Sequence, residues 1–176
     1  MSSLDFPYLG AYPQALQDQV RGLLAAEGPS GLGVLLQRKY PNSHAVRTDK
    51  ALYQYTTALK NRHLRSAPAV NKVLFDSKIH VVRNALGLHT SVSRVQGSKL
   101  AAARHEIRVS ALFKQVPDEF LRMIVVHELA HLRVRDHDKA FYQLCVHMAP
   151  DYHQYEFDLR AYLLYRDAGG EALWGG

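Results

Sequence analysis

Apolar positions along the chain recur at two different spacings, and the change between them divides it into three stretches. Through residues 13–26 the apolar side chains Leu16, Val20, Leu23 and Leu24 follow a helical rhythm, which stops at Glu27-Gly28-Pro29-Ser30-Gly31. A short helix is predicted over 32–40, ending at Pro41, and a longer one over 49–64, with Leu52, Tyr55 and Leu59 inward and a stop before Ser66-Ala67-Pro68. From Val70 the spacing shortens to two. Val73 and Phe75 alternate with polar residues, 79–82 is rich in β-formers, 88–95 alternates, and Ile107 and Val109 alternate again. Gln96-Gly97-Ser98-Lys99 reads as a turn between strands. Helical spacing returns over 117–134, 138–148 and 151–165, before a glycine-rich tail. The predicted fold class is α+β. A helical part (1–68), a small sheet (69–116) and a second helical part (117–167) form one domain over 1–176, with no internal repeat and no linker.

The 117–134 helix carries the chemistry. Pro117 suits a first turn, Asp118 and Glu119 favour the positive end of the helix dipole, and Phe120, Leu121, Ile124, Val125, Leu129 and Leu132 make a wide apolar surface. Within that surface stand His127, Glu128 and His131, an H-E-x-x-H pattern. Histidines four apart lie about 40° apart on a helix, so both imidazoles can reach one ion, and Glu128, about 60° from His131, can polarise water without being a ligand. An apolar core helix has little reason to hold three such groups, because buried polar side chains cost free energy unless paired or metal-bound. A third ligand would come from His137, or from a carboxylate of the last helix, Glu156 or Asp158. For His137 to serve, the chain must turn near Val134 to Asp136, with Asp136 or Asp138 capping the next helix. The metzincin pattern places a glycine at the position of Val134, so the turn here is of a different kind. Three protein ligands leave one coordination position open, which distinguishes a catalytic zinc from a structural one. Zinc is the expected cofactor, with another divalent transition metal as the alternative.

At 176 residues and 47% hydrophobic, the chain can bury a proper core. No apolar run is long enough to span a bilayer, and the first residues lack the pattern of a secretory signal, so no membrane partner is expected. A single cysteine, Cys145, excludes an internal disulfide framework and reads as core with Phe141 and Met148, which fits a cytoplasmic protein. The net charge of +6 admits an anionic partner, whether nucleotide, nucleic acid or acidic peptide. The basic residues are dispersed, and no dense block marks a nucleic-acid tail.

Three segments then carry a resemblance: Ile107-Arg108-Val109-Ser110, the run from Met123 to Leu132 and the stretch from Asp136 to Tyr142. Met148-Ala149-Pro150-Asp151-Tyr152 supports it, and so do residues 48–55 and 85–90. On these residues the chain resembles the YgjP-like metallopeptidases, and specifically the YgjP subgroup. The resemblance implies a zincin-like fold with a small sheet over the active-site helix. It also implies that His127, His131 and His137 are metal ligands and that Glu128 is the catalytic glutamate. The wider family carries a Trp-Gly-Ser-Cys segment where this chain reads His89-Thr90-Ser91-Val92-Ser93-Arg94-Val95-Gln96-Gly97-Ser98, so substrate contacts do not carry over from there. Two substrate classes follow from the resemblance. The family is classed with metallopeptidases, and the YgjP subgroup is also assigned conversion of UTP to UMP and diphosphate.

Peptide-bond hydrolysis leads, because H-E-x-x-H is most often found on peptidases, and UTP hydrolysis is the alternative. A peptidase needs an oxyanion donor, for which Tyr152, His153 and Tyr155 are candidates, although core packing explains the tyrosines equally well. A pyrophosphatase needs cations near the metal, for which Arg133, Arg135, Arg94 and Lys99 are available. His147 and His153 are read as core or ligand-supporting groups, and His44, His63, His80, His89 and His105 as surface or structural ones. A binding module with a purely structural zinc has no use for Glu128 beside the ligands.

Overall fold

The computed structural model describes residues 8–79 and 104–175, and the backbone of 94–96. The architecture is α+β, as expected. Helices α1 (Gln14–Ala25), α2 (Leu32–Lys39) and α3 (Asp49–His63) precede the strands β1 (Lys72–Asp76), β2 (Arg94–Gln96) and β3 (Arg104–Ser110). Helices α4 (Asp118–Ala130), α5 (Lys139–Met148) and α6 (Tyr152–Asp167) follow. Short 3-10 turns occupy Gly28–Ser30 and Ala111–Gln115.

The sheet order is β1-β3-β2. β1 runs parallel to β3, with Val73 opposite Ile107 and Phe75 opposite Val109, and β2 pairs antiparallel with β3. Those four apolar side chains are the buried ones, so the alternation read along the chain is the inward face of the sheet. The expected strand over 79–82 is not seen at Ile79, which follows β1 in a turn; residues 80–82 lie outside the described ones. Of the alternation over 88–95, only residues 94 and 95 are described, both in β2. Gln96, expected in a turn, extends that strand by pairing with Arg104.

Helix α4 is the centre of the packing, touching α3, α5, α6 and β3. Ten of its residues are buried, from Phe120 to Ala130 with the exception of Arg122. Helix α3 is fastened at its start and at its middle. Thr48 caps it through the Ala51 amide, and Asp49 accepts from the Phe75 amide of β1. The Tyr55 hydroxyl donates to Asp118 at the start of α4. The fully buried face of α3 is Leu52, Thr56 and Lys60, while Tyr55 and Leu59 are half-buried, a rotation of the expected stripe. The Lys60 stem packs as hydrocarbon.

The tail, which carries no periodic signal, folds back onto the core. Trp174 packs against Phe120 and Tyr162 and donates its indole N–H to the Tyr40 carbonyl at 2.6 Å. Truncation at Trp174 removes a buried aromatic and its hydrogen bond together. Trp174→Ala is therefore expected to lower unfolding free energy by about 3–5 kcal/mol in urea titration; a loss under 1 kcal/mol would show that the tail does not belong to the core.

Candidate metal centre

His127 and Glu128 sit in the last turn of α4 and are 5% and 2% exposed. The helix stops at Ala130, earlier than the spacing predicts, and His131 is its C-cap residue. Turn bonds then take over. The Leu132 amide donates to Leu129, and the Arg133 and Val134 amides donate to Ala130. No non-glycine residue among those described has a positive φ, so this turn reverses the chain without the left-handed residue that a glycine would supply. Asp138 caps α5 through the Phe141 amide at 3.0 Å, as one of the two expected caps. Helix exit and helix entry together bring His137 back towards α4.

The result is a convergence of three ring nitrogens. Nε2 of His137 lies 3.1 Å from Nε2 of His131 and 3.2 Å from Nε2 of His127. Phe141 backs the cluster, with its ring centroid 4.9, 4.6 and 4.8 Å from those of His127, His131 and His137. The opposite ring nitrogens are engaged. Nδ1 of His131 is 3.0 Å from the Val134 carbonyl, which can only accept, so Nδ1 carries the hydrogen and Nε2 presents its lone pair. Nδ1 of His127 is 2.8 Å from the buried Tyr152 hydroxyl.

These residues fit a cation. Lone pairs held this close repel unless something positive lies among them. Nitrogens arranged tetrahedrally about 2.1 Å from a zinc ion lie roughly 3.4 Å apart, close to the separations seen here. Oε1 of Glu128 is buried with no hydrogen-bond partner among the described residues and lies 4.0 Å from His127 Nε2, beyond hydrogen-bond reach. Burial pushes the Glu128 carboxyl well above the usual carboxylate range. A neighbouring cation would draw it back down. His127, His131 and His137 thus form a group able to hold a metal ion, their ligand atoms all within 4.8 Å of one another.

A model of the YgjP-like metallopeptidase domain matches residues 50–162. The chain belongs to the YgjP-like family. Among curated proteins it is 59% identical to the UTP pyrophosphatase of Escherichia coli (strain K12) over 156 residues, covering 89% of this chain and 91% of that protein. No solved structure matches it. As a YgjP-like protein the chain is a metal-dependent hydrolase, and none of its described helices is long and apolar enough to cross a membrane.

Several expected neighbours of the site stand elsewhere. Asp158 is held by Tyr40, Lys39 and Gln154, and Glu156 pairs with Arg160, so neither carboxylate joins the three histidines. Tyr152 is buried behind His127, on the Nδ1 side, which removes it as an oxyanion donor. His153 is exposed against the Tyr142 ring, and Tyr155 packs against Tyr40. His147 is likewise exposed, beside His63. His44 is structural, bridging the Phe113 carbonyl and the Val46 amide. Arg133 is exposed and donates to Ser66, and Arg135 is exposed. Lys99 and the Arg94 side chain lie outside the described residues. Sequence reasoning did not foresee the backing role of Phe141 or the orienting bonds from Val134 and Tyr152. Only the i, i+4 placement of Phe141 after His137 could have pointed to the first.

In the metal-free protein the raised Glu128 carboxyl makes stability fall with pH. Between the ordinary value of 4.5 and the raised folded one, the native state binds the proton more tightly than the unfolded chain. That stability is complete below the lower value and is lost as pH rises through the window. Glu128→Gln removes the titration. The metal-stripped variant is expected to be more stable than metal-stripped wild type at pH 7–8, by on the order of 1–3 kcal/mol, with the difference shrinking towards pH 4. Denaturation of both proteins across that range checks this, and a constant difference would contradict it.

Proposed function

We propose that the protein is a zinc-dependent pyrophosphatase that hydrolyses UTP to UMP and diphosphate. In this reading His127, His131 and His137 hold the ion and Glu128 is the general base. The observation that carries the hydrolytic part is a buried Glu128 oxygen, Oε1, without a hydrogen-bond partner among the described residues, beside three converging imidazoles. A site built only for stability would leave no acid orphaned there. Zinc is favoured by an all-imidazole donor set without sulfur. The substrate is favoured by the 59% identity with a UTP pyrophosphatase, which moves the weight from peptide to nucleotide.

His127, His131 and His137 would hold a divalent ion that would supply Lewis acidity, polarising a phosphoryl oxygen and making water acidic near neutral pH. Glu128 accepts the proton of the attacking water. The water oxygen bonds to phosphorus, the anhydride bridge between the α and β phosphates breaks, and the proton passes to the leaving diphosphate. Low exposure at Glu128 strengthens its electrostatic action by keeping bulk water away. Arg135 and Lys139, exposed two residues to either side of His137, are available to the triphosphate charge. Buried Cys145, its thiol pushed up to about 12 by burial, is held as a reduced core residue and suits a cytoplasmic enzyme.

Peptide-bond hydrolysis is the second reading, favoured by the metallopeptidase description of the family model. The same base and ion would serve a carbonyl in place of a phosphoryl centre. The two readings separate in one assay of zinc-loaded protein against UTP, other nucleoside triphosphates and a peptide library. UTP turnover without peptide cleavage is expected, with kcat falling about 10²–10⁴-fold in Glu128→Gln. Peptide cleavage without UTP turnover would reverse the assignment, and UTP turnover that survives the substitution would place it in a contaminant.

A further inference from the structure

Resting on the metal reading above, we propose that Phe141 is a positioning residue that leaves the ion open on one side only. Its ring closes one face of the triangle of Nε2 atoms, so water and a substrate oxygen reach the ion from the other face alone.

The backbone of Phe141 is pinned at the start of α5, where its own amide donates to the Asp138 cap at 3.0 Å. The side chain is wholly buried. Ring centres of the three histidines stand 5.0 Å (His127 to His131), 5.0 Å (His127 to His137) and 4.8 Å (His131 to His137) apart. The Phe141 ring centre lies 4.9, 4.6 and 4.8 Å from those of His127, His131 and His137. Six separations this nearly equal place the four rings at the corners of a tetrahedron. With edges of about 4.8 Å, its fourth corner stands about 4 Å from the opposite face, which is van der Waals contact. A ligand about 2.1 Å from an ion at the triangle would collide with the phenyl ring on that side.

His131 and His137 are half-exposed, whereas Phe141 is not exposed at all, so solvent meets the triangle on the face away from the phenyl ring. The imidazoles are held against turning. Nδ1 of His131 lies 3.0 Å from the Val134 carbonyl, and Nδ1 of His127 lies 2.8 Å from the Tyr152 hydroxyl. An ion held by three nitrogens and open on both faces would take a ligand on each, and the extra donor would weaken its Lewis acidity. With one face closed, attacking water and the oxygen to be polarised are gathered on the other. Core packing alone accounts for the burial of Phe141, but it assigns the ring no effect on what the ion binds.

That difference is measurable in the full chain with Phe141→Leu, Phe141→Ala and Phe141→His. Cobalt-loaded wild type is expected to show the intense visible absorption of a four-coordinate ion, and Phe141→Leu, which keeps an apolar wall, should resemble it. Phe141→Ala opens a space walled by the cation, which admits water where a purely apolar cavity stays dry. Its absorption is expected to fall severalfold, as coordination rises to five. Four imidazoles placed tetrahedrally around zinc have ring centres roughly 5 Å apart, so the ring at 141 stands where a fourth would. Phe141→His is therefore expected to raise the imidazole count at the zinc X-ray absorption edge from three to four. A lowered Tm in Phe141→Ala fits either account, and if that variant does not fold, Phe141→His, close to phenylalanine in size, decides. A wild-type spectrum in folded Phe141→Ala, or three imidazoles in Phe141→His, would show that Phe141 is packing alone and overturn the proposal. Failure of wild type to bind cobalt or zinc would overturn the metal reading, and the proposal with it.

Discussion

Three basic ring nitrogens held within about hydrogen-bond distance of one another, in the interior of an apolar helix and its exit turn, set the terms for the rest of this structure. Such a cluster is unfavourable by itself. It concentrates lone pairs where there is little water, and beside it stands Glu128, whose buried Oε1 has no hydrogen-bond partner among the described residues. Most elements in contact with α4 help to impose it. Thr48 caps α3, Asp49 fastens it to the sheet and Tyr55 fastens it to α4. The Asp138 cap starts α5 at the point that delivers His137 and places Phe141 behind all three rings. Tyr152 and the Val134 carbonyl restrain two of the imidazoles from behind. Ordering of that kind stores an unfavourable arrangement, which the proposed divalent cation would relieve with Glu128 beside it as the proposed base.

How much of this was legible in the sequence follows from the range of the interactions. The periodic elements were, because amphipathic spacing is a local property: α1 to α3, β1, β3 and α4 to α6 lie within a few residues of the predicted bounds. The end of α4 was not. Apolar spacing continues through Leu132, yet the helix ends at Ala130 with His131 as its cap, where the Leu132 and Arg133 amides make the tighter three-residue bonds to Leu129 and Ala130. The H-E-x-x-H spacing, being one helical turn, showed which groups share a face. The partners of Glu156, Asp158 and Tyr152 depend on how α6 packs against α2, α4 and the N-terminal segment, and no local pattern encodes that. For Tyr152 the sequence left oxyanion donor and core residue equally open; packing puts it in the core, on the far side of His127. Trp174 was invisible for the same reason, a lone aromatic in a glycine-rich tail.

The geometry speaks to reaction type more firmly than to substrate. A divalent ion held by three imidazoles with a carboxylate beside it would serve acyl and phosphoryl centres alike. The distinction rests on what lies around the triad: whether cations such as Arg135 and Lys139 meet a triphosphate, or whether a peptide backbone is received in an extended form. Membership of the YgjP-like family leaves both chemistries in view, and the likeness to a UTP pyrophosphatase over most of both chains turns the balance to the nucleotide.

The central claim is that one divalent ion is bound by His127, His131 and His137. X-ray absorption spectroscopy at the zinc edge of the stoichiometrically loaded protein tests it most directly. The account predicts three imidazole nitrogens at about 2.0–2.1 Å with one further light-atom ligand, and loss of one imidazole in His137→Ala. A first shell containing sulfur, or an imidazole count unchanged by that substitution, would contradict it.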